Sequence, residues 1–176
     1  MTAAELLAAS GRFSLTPGLT DAELSAIERE FEFTFADDHR AFLAAVVPTG
    51  RGWPDWRSPD RSVLRERLAW PVEGVLFDVE TNNFWYEGWG PRPPVVAQAV
   101  AAARFSLMTV PRLVPVYSHR FLPAATNGHP VLSVYQTDII FYGNDLTDWL
   151  NREFGLGTAA SGDPRAFAPF WRDLTG

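Results

Sequence analysis

Two short runs near the end of the chain, Val131–Tyr135 and Asp138–Tyr142, read as the arms of a hairpin. Both are apolar on both faces, and such runs require cover on two sides of a sheet, so both are expected to be central strands. The rest of the chain must then supply helices. Thr20-Asp21-Ala22-Glu23 is a capping box, in which the two polar side chains satisfy exposed amides at a helix start. Leu24, Ile27 and Phe31 follow at helical spacing. A second helix is expected over Asp37–Val47, with Phe35, His39, Phe42, Leu43 and Val46 along one stripe and Pro48 and Gly50 as stops. Helices at both ends around a run of strands predict a single α+β domain, with a mainly antiparallel sheet and packed helices.

The remaining elements are read in the same way. Ser58-Pro59 reads as an N-cap and first helical position leading into Asp60–Leu68. Val72–Val79 reads as a strand, Thr81-Asn82-Asn83 as a turn and Phe84-Trp85-Tyr86 as the returning strand. Pro93-Pro94 opens an alanine-rich helix to about Leu107, Leu113–Tyr117 is a strand, and Asn127-Gly128 marks a turn. Asn144 is the expected cap of a last main helix with Leu146, Trp149, Leu150 and Phe154 buried and Gly155 at its end. The domain is expected to span 1–154. Residues 155–176 are expected to form a linker and a short helical segment from Asp163-Pro164, which docks through Phe167, Phe170 and Trp171.

Composition narrows the function classes. The chain has no cysteine, which excludes a disulfide framework, a thiolate zinc site and a cysteine nucleophile. The net charge of -6 argues against direct nucleic-acid binding, which needs a basic face. The acid is unevenly placed: residues 1–50 carry eight carboxylates and three arginines, whereas 88–137 carry no carboxylate and four arginines. Burial of that middle segment explains the depletion, because a buried charge is costly; a mildly basic patch beside an acidic one is the alternative. Glu5 interrupts the first apolar run and the first basic residue is Arg12, unlike a secretory leader. No stretch reaches the roughly 18 apolar residues of a membrane span. These features predict a cytoplasmic protein with no membrane partner and no cofactor.

No phosphate-binding loop, Gly-x-Ser-x-Gly or His-Glu-x-x-His motif is present. A metal site from His119, His129 and Asp138, or a triad of Ser118 or Ser133 with His119 and Asp138, can be drawn only by combining separate segments. Asp78 and Glu80 are a candidate acid pair whose ordinary fate is a salt bridge to Arg51, Arg57 or Arg92. The strongest unusual feature is aromatic. Five of the seven tryptophans, Trp53, Trp56, Trp70, Trp85 and Trp89, crowd into 53–89, several in loop-like sequence. Tryptophan and arginine dominate binding hot spots, although indoles also anchor loops to a core.

Three blocks together resemble the SUKH superfamily, the Smi/Knr-type domains: 75–93 (Val-Leu-Phe-Asp-Val-Glu-Thr-Asn-Asn-Phe-Trp-Tyr-Glu-Gly-Trp-Gly-Pro-Arg-Pro), 113–123 (Leu-Val-Pro-Val-Tyr-Ser-His-Arg-Phe-Leu-Pro) and 130–143 (Pro-Val-Leu-Ser-Val-Tyr-Gln-Thr-Asp-Ile-Ile-Phe-Tyr-Gly). The resemblance covers roughly 20–154, and Phe35-Ala36 stands where the family usually has Leu-Pro. It implies an α+β fold and a non-enzymatic binding role. Many bacterial members are immunity proteins that neutralise polymorphic toxins, often nucleases or deaminases; fungal relatives act in cell-wall signalling. The expected protein partner is thus a cognate toxin, with an intracellular adaptor role as the alternative and sugar or small-ligand binding as a third reading. The expected contact residues are Trp53, Asp55, Trp56, Trp85, Glu87, Trp89, His119 and Arg120, with Asp78 and Asp138 orienting loops.

Overall fold

The structure, a computed structural model, describes residues 1–125, 128–158 and 169–175. Asn127, the Asp163-Pro164 helix start and Phe167 lie outside the described residues. Helix α1 (Ala3–Ser10), strand β1 (Ser14–Pro17), α2 (Asp21–Phe31), α3 (Asp37–Ala45) and β2 (Val46–Thr49) come first. Helix α4 (Ser62–Thr81), a 3-10 turn at Glu87–Trp89 and α5 (Val96–Leu107) follow. Strands β3 (Leu113–Tyr117), β4 (Arg120–Pro123), β5 (Val131–Tyr135) and β6 (Asp138–Gly143) precede α6 (Leu146–Phe154) and α7 (Pro169–Asp173).

Strands β3-β4-β5-β6 form an antiparallel meander, and β1 pairs with β2 in a separate two-stranded sheet. This is an α+β fold. The meander is covered on both faces. Val114, Val116, Leu122 and Val131 join one buried cluster with α1, α2, α3 and α6. Leu113, Phe121, Leu132, Val134 and Ile139 join the other, with the second half of α4, α5 and α7. The two sets alternate along each strand, as the pleat requires.

Local chemistry explains several boundaries. Thr20 and Glu23 form the reciprocal capping box at α2, and Thr2 and Glu5 form a second one at α1. Each such cap contributes about 1 kcal/mol. Helix α6 is capped by Asp145, whose carboxylate accepts from the Asp148 amide, and not by Asn144. Helix α4 begins after Arg61 with no side-chain cap, so Ser58-Pro59 does not open it.

Four expectations are corrected. Val72–Val79 is not a strand but the second half of α4, a helix of 20 residues. Leu64, Leu68, Val75, Leu76 and Val79 recur at helical spacing and are buried, and their packing outweighs the roughly 3 kcal/mol cost of Pro71 inside the helix. With that strand gone, 84–86 has no partner strand among the described residues and runs as a loop into the 3-10 turn. Helix α3 stops at Ala45, and Val46–Thr49 pairs with β1, placing Pro48 opposite Leu15. A two-stranded ribbon has only edges, where proline is tolerated. Only β5 of the hairpin is central: β6 is an edge strand with Ile140 exposed, bridged on its outer side by Thr175.

Helix α4 runs along both buried clusters, with Leu64 and Leu68 in the first and Val75, Leu76 and Val79 in the second. Its inner face packs on α5 through Ala99, Ala103 and Leu107. Its second half also sits on the β5–β6 turn, where an added Cβ at Gly74 would lie 2.9 Å from the Gln136 Cα. Asp78, one turn on, accepts from the Thr137 amide at 2.9 Å and the Thr137 hydroxyl at 2.6 Å.

Candidate functional site

The structure divides the clustered tryptophans among three environments. Trp53 and Trp56 are core residues, 8% and 1% exposed. Trp53 packs edge-on to Phe13 and Trp149 at 5.8 and 5.9 Å, and Trp56 meets Phe35 at 5.3 Å. Buried indoles offer nothing to a docking partner, so both leave the expected contact set. Their loop is held by Arg67, which donates to the carbonyls of Gly52 and Ser118, and by the Ser118 amide, which donates to Gly52. Asp55 is exposed on this loop and accepts from the Arg57 amide. Arg57 in turn pairs with Glu23 at 2.7 Å. Hydrogen bonds from Arg57 and Thr20 hold the Glu23 carboxyl down at about 2.

Trp85 and Trp89 are half-buried and Glu87 is exposed. The Trp85 indole donates to the Gly90 carbonyl at 2.7 Å, and Trp89 stacks on Phe170 of α7 at 5.5 Å. The Tyr86 hydroxyl donates to Asp173 at 2.7 Å, which raises the Tyr86 pKa and lowers that of Asp173. Phe84, Trp85, Tyr86, Glu87, Asp173 and Leu174 line an open cavity of about 580 Å³. This aromatic shelf hangs from the far end of α4, where the Phe84 amide donates to the Asp78 carbonyl. The Trp53 loop is tied near Arg67, so the two places lie on the order of 20 Å apart along the helix. They do not make one surface.

His119 is exposed, its Nδ1 3.2 Å from the Ser118 hydroxyl, and desolvation and then Arg120 lower its pKa. Arg120 is buried, which corrects its place among the contact residues. It donates to Glu153 at 2.7 Å and to the Ser133 hydroxyl at 2.9 Å, with its guanidinium 3.7 Å from the Tyr142 ring centroid. Ser133 therefore answers Arg120. Asp78 is buried and binds the β5–β6 turn and the Asn82 amide group, whereas Asp138 is exposed opposite Tyr135. Among the described residues no group of three His, Asp or Glu could hold a metal ion.

The third environment is the outer face of α4. Trp70 and Phe77 are each 48% exposed, and Tyr135 at the end of β5 is 60% exposed. With Glu66, Ala69, Glu73, Gly74 and Gln136 they line a groove of about 420 Å³. Glu73 is anchored by Arg104 of α5 through two hydrogen bonds, at 2.8 and 3.3 Å. Glu66 and Glu80 make no ion pair among the described residues. Phe77 is absent from the expected contact set because 72–79 reads as a strand, and Tyr135 joins the groove only because α4 packs against the β5–β6 turn. Helical spacing of Val63, Trp70 and Phe77 is the signal that finds this face.

No protein-family model matches the chain, and neither a curated protein nor a solved structure matches it. Among the described residues no helix is long and apolar enough to cross a membrane.

Proposed function

We propose that the protein is a non-enzymatic binding domain of the SUKH type that neutralises a toxin by occupying its active-site face. The observation that carries this reading is the groove on α4, where Trp70, Phe77 and Tyr135 stand exposed beside Glu66 and Glu73. Aromatic side chains around a small apolar pocket, rimmed by charge, are the composition of a protein-binding hot spot. Large exposed aromatics cost solubility, and a binding partner that covers them offsets that cost. The acidic balance of the chain complements a basic nuclease, whose own active-site face must attract phosphates. The resemblance of 75–93, 113–123 and 130–143 to immunity domains supports the same class.

The test is growth of cells that express a candidate toxin encoded beside this gene, with and without the protein; the lack of any such gene, with no partner in pull-downs, sinks the reading. Restored growth, together with a stoichiometric complex on gel filtration, supports the reading. A neighbouring toxin that kills equally well in its presence sinks it.

A further inference from the structure

The exposed face of α4 has a regular pattern. Val63, Trp70 and Phe77 are seven residues apart, and so are Glu66, Glu73 and Glu80, three positions further on. All six are exposed. A helix with residues at these spacings presents a single seam, in which apolar and acidic positions alternate as the a and d sites of a heptad. The seam runs the length of a 20-residue helix, about 30 Å, with Tyr135 forming a wall at its second half. The opposite face of α4 is already buried on α5 and the meander. All six positions stay exposed, and among the described residues only Glu73 has an ion-pair partner, Arg104 of α5.

We propose that this seam is the docking site for an amphipathic helix of a partner protein, with apolar residues facing Val63, Trp70 and Phe77 and arginine or lysine facing the glutamates. The inference rests on the binding reading above and names the partner's chemistry. Two observations select this occupant. Seven-residue spacing of the anchors matches a second helix packed at a shallow angle, whereas an extended strand presents its side chains every two residues. The charge selects a basic partner: a second copy of this chain, at net -6, would set glutamate against glutamate in parallel packing and glutamate against the apolar anchors in antiparallel packing, and anionic lipid would be repelled by the same carboxylates. Arg104 neutralises only the middle glutamate, leaving Glu66 and Glu80 to define the two ends.

The experiment uses the full chain and synthetic three-heptad peptides as probes. One peptide carries leucine at a and arginine at d, a second carries glutamate at d, and a third is the first with a central proline. Fluorescence anisotropy is expected to detect binding of the first peptide alone, with amide shifts confined to α4 and Tyr135. Trp70→Ala and Phe77→Ala should each weaken it by roughly tenfold or more, as hot-spot truncations do. The doubly reversed variant Glu66→Arg/Glu80→Arg keeps the aromatics and should switch preference to the glutamate peptide. Equal binding of the proline or glutamate peptide, absence of binding, or dimerisation abolished by Trp70→Ala would each overturn the proposal. Growth rescue separates the two levels: a toxin neutralised equally by wild type and Trp70→Ala overturns the seam and leaves the binding function standing. Peptide binding with no toxin neutralised retains the seam and overturns the immunity reading.

Discussion

Asp78 and Thr137 join the two halves of the second core: one carboxylate oxygen of α4 accepts both the amide and the hydroxyl of the β5–β6 turn, at 2.9 and 2.6 Å. Asp78 is 4% exposed, so its loss leaves buried donors without an acceptor. Asp78→Ala is expected to lower stability by about 2–3 kcal/mol in urea unfolding, the range for a buried, charge-assisted hydrogen bond. Thr137→Val should cost less, because it removes the hydroxyl and keeps the amide. The double variant should cost clearly less than the sum of the two.

Gly74 lies one turn before Asp78 and gives a prediction of unusual sign. An exposed helix-interior glycine replaced by alanine ordinarily gains up to about 1 kcal/mol. Here the new Cβ would stand 2.9 Å from the Gln136 Cα and 3.2 Å from its amide nitrogen, and backbone atoms cannot rotate away. Gly74→Ala is therefore expected to destabilise by about 1–3 kcal/mol. A rise in melting temperature would show that α4 can move off the hairpin without loss.

What repeats at short range is legible in the sequence. Thr20 and Glu23, the stripe of α2, the apolar strands β3 and β5 and the stripe of α6 are all local signals, and all fold as such. Val72–Val79 reads as a strand because valine, leucine and phenylalanine in a short run fit either period. What decides it is tertiary: Val75, Leu76 and Val79 find α5 and the meander. The candidate site depends on the same point, since the seam of Val63, Trp70 and Phe77 exists only if the helix continues through Thr81. Trp53 and Trp56 show the converse limit. Gly52, Pro54 and Asp55 around them are loop residues, yet the loop folds inward, and no local pattern records that Arg67 ties it down.

Arg120 and Glu153 make a partly buried ion pair, with side chains 9% and 16% exposed. The guanidinium is further held by Ser133 and the Tyr142 ring. Removing one partner leaves a partly buried charge without its hydrogen-bonded partner, at a typical cost of about 1.5–3 kcal/mol. Glu153→Ala and Arg120→Ala are expected to lose about that much in chemical denaturation. Glu153→Gln, which keeps a hydrogen-bond acceptor, should lose less. Binding of the arginine peptide below the melting temperature should be unchanged in all three, because these residues are in the core and not on the seam.

His39 makes the fold acid-sensitive in a defined window. It is 1% exposed, faces the rings of Phe35 and Trp56 at 5.2 and 6.5 Å, and its Nδ1 has no hydrogen-bond partner among the described residues. Burial pushes its pKa from 6.5 down to about 3. The unfolded chain thus takes up a proton near 6.5 that the fold refuses, so stability is full above that pH and falls as the pH drops towards 3. The slope is about 1.4 kcal/mol per pH unit, or about 2 kcal/mol between pH 6.5 and 5. His129, also lowered by burial, adds to the loss. Asp38, raised above 3.8 by burial, opposes it: the fold favours its neutral form, so its contribution is present at low pH and disappears as pH rises through its folded pKa. His39→Leu removes one titration and leaves those of His119, His129 and Asp38. Urea midpoints measured at pH 7 and pH 5 should therefore separate markedly in the wild type and far less in the variant. Equal shifts in both would show that His39 is protonated in the fold, and the buried-histidine account would fail.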